Sequence, residues 1–564
     1  MTENKNFSNL IVDYLETLGI EFVFGVPGGH IAPLFEALAQ SEARGGIRAI
    51  MSRHESGAAS MADGYARETG KLGVCCATTG PGVTNLLTGV ASAYEDNIPI
   101  LVITAQTVLP QFGLGAFQES SPDLMDTSRM FENCTCYNAV ITHPKQFERK
   151  LLTALTQAFR ASRPVHLSIP LDQFRFPAPA TISCPQALAE LLLPVSLVDL
   201  TALEKLSYII KNVLQQNGQL ALLVGHDCID ATQAITQFAE LTNATIATTQ
   251  RGKRWINPYH PLARGVFGFA GHHSARESLN AADLILAIGT SLGQWATSNW
   301  DEVLLNEKLV HLHSNADYFY RSPLAQLHVQ GNSKTIFEKL FERLDKEFTN
   351  PLLTFPAFEQ ENPPLQITVK NQENYKGYST PASPQHVVYA LMKNFAPETR
   401  IVVDTGNWLA WAIHHFFSPN HQNFRISSYF AAMGWGIGAA VGIAMANAKI
   451  PVVCLTGDGS FLMNGQEITV AVEQQLNVIF IVLNDQSYGM VKHRHREVVD
   501  NSLEFNIPRV DFALMAQAMG ARGYTIRSTA DLAQLDYQAL CNCSVPSLLD
   551  IQIDPEEIPP IGMF

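Results

Sequence analysis

Thr456-Gly457-Asp458-Gly459-Ser460 is the stretch on which the fold depends, and Asn484-Asp485-Gln486-Ser487 follows it, with 24 residues between the second glycine and the asparagine. Each stretch comes after a short apolar run, at 451–455 and at 478–483, that is typical of a buried parallel strand. A segment of helical length, 464–475, lies between the two. The unit therefore reads strand, Gly-Asp-Gly turn, helix, strand and Asn-Asp turn, as in a parallel α/β sheet.

The two turns place acidic side chains at one edge of the predicted sheet. Neighbouring parallel strands bring their carboxyl ends together, and open α/β sheets bind ligands at that edge. Asp458 and Asp485 should therefore lie close together and offer an oxygen site suited to Mg²⁺ or Ca²⁺. The glycines beside Asp458 let a phosphate group approach the backbone. A Gly-Asp-Gly turn alone is ordinary turn chemistry, so the prediction depends on both turns at this spacing.

Composition narrows the class of protein. The chain has 564 residues, 46% hydrophobic and 16% charged, which is typical of a globular protein with several domains. A net charge of −14 and the lack of any Lys/Arg-rich run argue against nucleic acid as a partner. Nine scattered cysteines indicate reduced thiols rather than a metal set. With a polar amino terminus and no apolar stretch long enough to span a bilayer, we expect a cytoplasmic protein that binds no membrane.

Short apolar runs alternate with helical segments along the chain. This pattern predicts an α/β fold with three doubly wound parallel-sheet domains. We expect the first domain over 1–180, a central domain over 190–345 and a third over 376–564. The segment 346–375 contains a proline-rich stretch without periodicity and is predicted to be a linker.

Four further segments carry patterns that mean little individually. Glu55, in a first helical turn, would ordinarily serve the helix dipole. A Gly-Pro-Gly turn before a helix is either a tight turn or an anion cradle, and Met433 is ordinarily core filling. The four segments are 53–59, 80–85, 115–119 and 431–438.

Together these segments resemble the motifs of the thiamine diphosphate (ThDP, or thiamine pyrophosphate) enzymes, and 115–119 resembles the acetolactate synthase branch, large catalytic subunit type. The resemblance covers nearly the full length, as pyrimidine-binding, central and diphosphate-binding domains in that order. It implies that Mg²⁺ joins the cofactor's diphosphate to Asp458, to Asp485 and to the main-chain carbonyl of Ser487. It also implies a homodimer at minimum, or a homotetramer, because the cofactor in this family lies between two subunits.

The resemblance assigns roles to individual residues. Glu55 would contact N1′ of the cofactor's aminopyrimidine and share its proton, and Met433 would impose the bend that brings the two cofactor rings together. The implied catalytic positions are Glu55, Gly29, Phe117 and Gln118. The implied cofactor-binding positions are Gly80, Asn85, Ala431, Met433, Gly457, Asp458, Gly459, Ser460, Gly489 and Met490.

Acetolactate synthases also carry a structural FAD in the central domain. Here the segments 220–225 and 283–289 read as strands ending in glycine, but neither forms a dinucleotide-binding fingerprint. The segments 265–268 and 289–293 differ from those that hold FAD in that branch. FAD is therefore an open alternative rather than a prediction.

The implied reaction is decarboxylation of a 2-oxo acid such as pyruvate and condensation with an acceptor 2-oxo acid, using ThDP and Mg²⁺. Phe117 and Gln118 favour this reaction. Leu171 replaces a lysine that lines the substrate entrance in the branch, and Lys492-His493-Arg494 occupies the place where biosynthetic members have a tryptophan. These basic side chains would suit a different anionic acceptor, although a solvated helix face at 493–496 is the preferred interpretation.

Two other function classes stay open. Another ThDP-dependent decarboxylase, acyltransferase or C–C lyase, acting on a different anionic substrate, would keep the same cofactor motifs. A non-catalytic regulatory homologue would not need Glu55, Asp458 and Asp485, and all three are present.

Overall fold

Three sheets of parallel strands form the framework of the chain. A computed structural model describes residues 5–178, 192, 197–344, 366–499 and 503–561. Each sheet has six strands, and all the pairs between neighbouring strands are parallel. The prediction of an α/β fold with three doubly wound parallel sheets is therefore confirmed. The domain limits stay predictions, and most of the expected linker lies outside the described residues.

The first sheet and its helices form the amino-terminal unit. Its strands are β1 (Phe22–Gly25), β2 (Arg48–Met51), β3 (Gly73–Ala77), β4 (Ile100–Gln106), β5 (Tyr137–Val140) and β6 (Val165–Pro170). They are ordered β2-β1-β3-β4-β6-β5. Its helices are Phe7–Thr17, Ala32–Ala43, Glu55–Thr69, Pro81–Glu95, Thr127–Phe131, Phe147–Ala161 and Leu171–Phe174. Strands β3 and β4 are buried along their whole length, which explains why they read as continuous apolar runs.

The central unit has its own sheet and its own hydrophobic core. Its strands are β7 (Leu220–Val224), β8 (Thr245–Thr248), β9 (Ala263–Val266), β10 (Leu284–Ile288), β11 (Leu309–His313) and β12 (Leu327–Gln330). They are ordered β12-β11-β10-β7-β8-β9, with the reversal of strand order between β10 and β7. Its helices are Leu200–Gln215, Thr232–Thr242, His273–Ala281 and Ser333–Leu344.

The third unit carries the two acidic turns. Its strands are β13 (Arg400–Val403), β14 (Phe424–Ile426), β15 (Val452–Gly457), β16 (Val478–Asn484), β17 (Arg522–Ile526) and β18 (Ser547–Gln552). They are ordered β14-β13-β15-β16-β18-β17, so that β15 and β16 are neighbours as predicted. Its helices are Pro384–Asn394, Asn407–His415, Trp435–Ala446, Asp458–Asn464, Ile468–Glu473, Gly489–Arg496, Phe512–Ala518, Thr529–Ala533 and Tyr537–Cys541.

The helix expected over 464–475 is wrong in its limits. A helix begins at Asp458, directly after β15, and ends at Asn464. A 3-10 turn (Gly465–Glu467) and a second short helix (Ile468–Glu473) follow. Asn464 and Gly465 are poor helix formers, which fits the interruption of the α-helix at this point. The helix amino terminus therefore lies at the Gly-Asp-Gly turn itself.

The helices Glu55–Thr69 and Trp435–Ala446 join the first and third units. One hydrophobic core contains residues of both units. A Cβ on Gly64 would lie 2.2 Å from the carbonyl oxygen of Ala439, and one on Gly442 would lie 2.0 Å from that of Met61. Only glycine allows two helix backbones to approach this closely. This contact fixes the Glu55 helix against the third unit.

Among the described residues, no helix has the length and apolar character needed to cross a membrane.

Replacing Gly64 with alanine should lower the melting temperature. The added methyl group would meet the Ala439 backbone, which cannot rotate away as a side chain can, and overpacking of this kind costs about 1–3 kcal/mol. Gly377→Ala is the matched control, because no atom lies within 4 Å of the Cβ it adds. Thermal unfolding of both variants tests the prediction, and equal melting temperatures would contradict it.

Candidate functional site

The two acidic turns meet at the carboxyl edge of the third sheet, after β15 and β16. The Asp458 carboxylate accepts a hydrogen bond through Oδ2 from the Gln486 amide at 2.7 Å. The Asp485 carboxylate accepts one through Oδ1 from the Ser487 amide at 3.1 Å. The first acidic side chain therefore reaches across to the second turn. Gln486 has a φ of 57°, a left-handed conformation that is uncommon outside glycine and that shapes this turn.

Both carboxylates are buried, with Asp458 3% and Asp485 9% exposed. Burial, together with the charge of Asp485, raises the pKa of Asp458 to about 7. Burial also raises the pKa of Asp485 to about 6, against the opposing effects of the Ser487 amide and the Lys492 charge. Two buried carboxyl groups that resist ionisation together form a site that a cation would stabilise.

Several buried polar atoms at this edge have no hydrogen-bond partner. They include Thr405 Oγ1, Asn407 Oδ1 and Ser487 Oγ. A Cβ on Gly489 would lie 2.2 Å from Asp485 Oδ2 and 2.6 Å from Asn407 Nδ2, so Asn407 adjoins the acidic pair. Unpaired buried polar groups in a native structure commonly mark an ion, a water molecule or a ligand. The edge therefore suits a polar ligand that contacts several turns at once.

The oxygen atoms at this edge fit a metal ion that is coordinated partly by the protein and partly by a bound ligand. In the described part of the chain, no group of three or more His, Cys, Asp or Glu side chains is arranged to hold a metal ion. Asp458, Asp485 and the Ser487 carbonyl would leave part of an octahedral shell open. Mg²⁺ is usually bound in this way, by one or two carboxylates together with phosphate oxygens and water. These residues therefore fit Mg²⁺ bound together with a diphosphate.

Asp404 is a buried residue of this edge that the sequence motifs did not single out. Its carboxylate accepts hydrogen bonds from the amides of Gly434 at 2.9 Å and Gly436 at 3.0 Å, and from Thr456 Oγ1 at 2.9 Å. Burial raises the pKa of this carboxyl. Asp404 thus joins the start of the Trp435 helix to the residue before the Gly-Asp-Gly turn. The signal available in the sequence was its position directly after β13, next to β15 in the sheet.

Met433 lies at the Gly-Asp-Gly turn and not in the interior. Its side chain is only half-buried, and its Cε would be 3.6 Å from a Cβ on Gly459. Ala431, two residues earlier, has a φ of 55°. Backbone strain of this kind is concentrated at functional sites. A Cβ on Gly457 would have no atom within 4 Å, so there is open space at this turn. The Ser460 hydroxyl donates a hydrogen bond to the Thr405 carbonyl at 3.1 Å.

The helix Gly489–Arg496 begins at the acidic turn and is less solvated than expected. Met490 packs partly buried against the core. The Lys492 side chain is 1% exposed, with Nζ 3.3 Å from Glu556 Oε1. His493 is buried and its Nε2 has no partner, whereas Arg494 is exposed. The interpretation of 493–496 as a solvated face is therefore wrong for His493, because the helix turns this side chain inward.

A second cluster forms around Glu55 in the first unit. Glu55 is the first residue of its helix, and its Oε2 accepts a hydrogen bond from Asn85 Nδ2 at 2.9 Å. A Cβ on Gly82 would lie 3.2 Å from Glu55 Oε1. The Gly-Pro-Gly turn and Asn85 therefore pack on the Glu55 carboxylate. The structure thus brings together two predicted site residues, Glu55 and Asn85, which are 30 residues apart in the sequence.

Gln118 belongs to the same cluster. Its carbonyl accepts a hydrogen bond from Thr79 Oγ1 at 3.0 Å, and its Cβ would be 3.1 Å from a Cβ on Gly80. Its φ of 58° is another left-handed conformation at a predicted site residue. Phe117, its neighbour, is 81% exposed. A Cβ on Gly29 would face open space, in the turn after β1.

Glu119 holds the loop that presents Phe117 and Gln118, a role that sequence reasoning missed. Its carboxylate accepts hydrogen bonds from the amides of Gly113 at 2.5 Å and Gly115 at 2.9 Å, and from Ser121 Oγ at 2.5 Å. The Ser121 hydroxyl is the main cause of the lowered pKa of this carboxyl. Glu119 thus acts as an internal anchor of the loop.

Comparison with protein families gives three matches along the chain. Residues 5–127 match the thiamine pyrophosphate enzyme N-terminal TPP binding domain, residues 210–340 the central domain, and residues 404–551 the C-terminal TPP binding domain. The first match contains Glu55, Asn85 and Gln118. The last contains Asp404, Asp458 and Asp485. Both clusters thus lie within the domains named for binding this cofactor.

Curated relatives align over almost the full length. The chain is 28% identical to the probable acetolactate synthase large subunit of Methanococcus aeolicus, covering 98% of this chain and 92% of the relative. It is 29% identical to the acetolactate synthase isozyme 2 large subunit of Escherichia coli (strain K12), covering 98% and 96%. It is 28% identical to the isozyme 1 large subunit of the same organism, covering 98% and 94%.

Proposed function

The chain belongs to the thiamine pyrophosphate enzyme family and is a ThDP-dependent enzyme, and from this we propose that it is a Mg²⁺-dependent 2-oxo-acid decarboxylase and carboligase similar to acetolactate synthase. The observation that carries the metal assignment is the buried Asp458–Asp485 pair at a sheet edge with unpaired polar atoms around it. The observation that favours the reaction class is the full-length similarity to acetolactate synthase large subunits.

Each cluster has a separate task in this proposal. ThDP, when bound, supplies the carbanion chemistry that a 2-oxo acid needs to lose CO₂ and join an acceptor. Asp458, Asp485 and the Ser487 carbonyl would hold Mg²⁺. Glu55 would hold a proton at N1′ of the aminopyrimidine, and its hydrogen bond with Asn85 keeps the carboxylate in one place.

The remaining predicted residues bind or orient. Met433 would support the cofactor from the Gly-Asp-Gly side, and the carbonyls of Ala431 and Gly489 would hold its amino group. Phe117 and Gln118 would contact the reacting substrate. Glu119 fixes the loop that carries these two residues, because its carboxylate binds main-chain amides of that loop. A fixed loop would keep Phe117 and Gln118 in place to exclude water from the reacting carbon.

Product analysis tests the proposed reaction. Purified protein incubated with pyruvate, ThDP and Mg²⁺ should form acetolactate and CO₂. Acetaldehyde without acetolactate would refute the carboligase proposal and favour a decarboxylase. His493, buried with an unpaired Nε2 in the helix that follows the acidic turn, is the observation that favours a different anionic acceptor. A panel of 2-oxo acids with and without phosphate or sulfonate acceptors separates these outcomes.

The stabilisation by cofactor should depend on pH in a defined direction. Asp458 and Asp485 have folded pKa values of about 7 and about 6, above their ordinary range. The cofactor-free protein should therefore lose stability as pH rises from about 4 to about 7, since the folded state binds more protons than the unfolded state. Metal binding needs both groups ionised. Melting curves should show that Mg²⁺ with ThDP raises the melting temperature more at pH 8 than at pH 5.5, and a pH-independent shift would contradict the metal assignment.

A homodimer is part of the proposal. Large apolar side chains are exposed in a single chain on segments that carry predicted site residues, among them Leu114 and Phe117 on the Gln118 loop and Phe430 next to Ala431. Exposed apolar patches of this kind mark association surfaces. A second copy would cover them and complete the site. Light scattering after gel filtration should show a dimer or tetramer, and a monomer that forms product would contradict the proposal.

FAD is not part of the proposal. A Cβ on Gly225 would lie 2.3 Å from the Gly289 carbonyl oxygen, and one on Gly268 would lie 1.9 Å from that of Trp295. At these two glycines the main chain packs closely against main chain. A cavity of about 1060 Å³, lined in part by Arg163, Asp227 and His313, lies between the first and central units. Flavin absorbance in the purified protein would show that this domain binds FAD after all.

A further inference from the structure

Glu467 lies at the start of the Glu55 helix although it belongs to the third unit. It is fully buried, and its Oε1 accepts a hydrogen bond from the His54 amide at 2.9 Å. Its Oε2 accepts one from the Arg53 amide at 3.1 Å, and Oε1 is 3.2 Å from the same amide. The two residues directly before Glu55 therefore have their main-chain donors fixed by one carboxylate.

The first turn of the helix wraps around this carboxylate. A Cβ on Gly57 would lie 2.4 Å from Glu467 Cδ and from Oε1, so the carboxylate occupies the space that a side chain at 57 would need. Amides at a helix start lack partners within the helix, and a negative charge there is favourable. Glu467 supplies both the acceptor and the charge, from an element separate from the helix.

Other contacts tie the same two elements together. The Arg53 guanidinium donates to Thr469 Oγ1 at 2.8 Å and to Glu473 Oε2 at 2.7 Å, both on the short helix after Glu467. Ser56 Oγ donates to Asn464 Oδ1 at 3.2 Å. The Arg53 guanidinium is thus bound to other groups, and main-chain amides are the hydrogen-bond donors to Glu467. Burial raises the pKa of Glu467 to about 7, with the Glu55 charge adding to the effect.

We propose that Glu467 is a positioning residue for Glu55: its carboxylate fixes the main chain at Arg53 and His54, and so determines where the Glu55 carboxylate stands. The inference rests on the proposed role of Glu55 in the proton relay. By this inference, a residue of the third unit, which also carries the two acidic turns, determines the position of the Glu55 carboxylate in the first unit. The loss of Glu467 should then affect proton transfer more than cofactor binding.

Glu467→Gln tests this with three measurements. In cofactor-free protein, amide hydrogen exchange of a peptide covering 51–60 should be faster by roughly 10-fold, because a fixed acceptor is lost. With Mg²⁺ and ThDP, the dissociation constant from fluorescence quenching should change by less than about 3-fold, since no proposed ligand is altered. Exchange of the ThDP C2 proton with solvent deuterium, followed by NMR after acid quench, should slow by about 10- to 100-fold, as displacement of a catalytic group by about 1 Å predicts.

Two further variants make the test specific. Gly57→Ala displaces the Glu467 carboxylate without changing its chemistry and should reproduce the slow C2 exchange. Glu473→Gln is the matched control, since it removes a half-exposed partner of Arg53 on the neighbouring helix and should leave C2 exchange within about 2-fold of wild type.

The outcomes separate this inference from the proposed function. Wild-type C2 exchange in Glu467→Gln would overturn the positioning role. A parallel fall of melting temperature, ThDP affinity and C2 exchange would also overturn it, because that pattern indicates a general structural role. Wild-type protein that exchanges C2 but forms no acetolactate would refute the proposed carboligation alone, since C2 exchange needs no substrate.

Discussion

Glu55→Gln should slow C2 proton exchange of bound ThDP and product formation by roughly 10²- to 10⁴-fold, the usual contribution of a positioned acid or base. Glutamine keeps the size of the side chain and can accept the Asn85 hydrogen bond, but it cannot take up or give a proton. The Glu55 carboxylate is buried and its Oε2 is 2.9 Å from Asn85 Nδ2, so the substitution changes the chemistry more than the packing. ThDP affinity should change by less than about 10-fold, since the proposed metal ligands lie in the third unit, in the turns after β15 and β16.

The control for this variant is Glu36→Gln. Glu36 is an exposed glutamate on a helix of the same unit, away from the cluster around Glu55. Its replacement should leave C2 exchange, product formation and melting temperature unchanged. Turnover by Glu55→Gln at the wild-type rate would show that the proposed proton relay does not exist.

Asp458→Asn should weaken binding of Mg²⁺ and ThDP by about 100-fold or more, beyond the 10- to 100-fold that loss of an outer hydrogen-bond partner costs a metal site. The substitution removes one of two charges that would face the cation. It also places an amide where two main-chain donors, those of Gly459 and Gln486, now meet a carboxylate at 2.7 Å each. Titration of tryptophan fluorescence with ThDP at fixed Mg²⁺ measures the change. Because the pKa of Asp458 is raised to about 7, the difference from wild type should be larger at pH 8 than at pH 6.

Asp230→Asn is the control for Asp458→Asn, because it makes the same chemical change at a position outside the acidic turns. Asp230 is an exposed aspartate of the central unit, and its replacement should leave the ThDP dissociation constant unchanged. Wild-type affinity in Asp458→Asn would remove the metal site from the proposal. Comparison with Glu55→Gln then distinguishes the two clusters, because one variant should bind cofactor and fail in proton transfer and the other should fail in binding.

Pattern and spacing were sufficient to predict the architecture and the meeting of the two acidic turns at one edge of the third sheet. The apolar runs at 451–455 and 478–483 became the neighbouring strands β15 and β16, and Asp458 reaches the turn after β16. A period of apolar residues and a turn composition are local properties, so they can be read from a single chain. The limits predicted for the helix at 464–475 were less accurate. Where a helix begins depends on which groups accept hydrogen bonds from its first main-chain amides.

The residues that sequence reasoning missed act through contacts that are distant along the chain. Asp404 holds Gly434, Gly436 and Thr456 from a separate strand. Glu467 binds the amides of Arg53 and His54, more than 400 residues away. Neither residue has a local pattern that marks it, since an acidic residue after a strand or in a short turn is common. His493 was misread for the same reason, as the packing of its helix decides which side faces inward.

By itself the sequence determined the parallel α/β class, the repetition of that class in three sheets, and the pairing of Asp458 with the turn at Asp485. These follow from the alternation of buried strands with helices and from the rule that parallel strands end at one edge. Only the tertiary structure decided which groups share a hydrogen bond across units, how deeply each carboxylate is buried, and which helix face is covered. Burial and hydrogen bonding between distant segments set the pKa of Asp458 and of Glu467, and no local stretch of chain contains both partners.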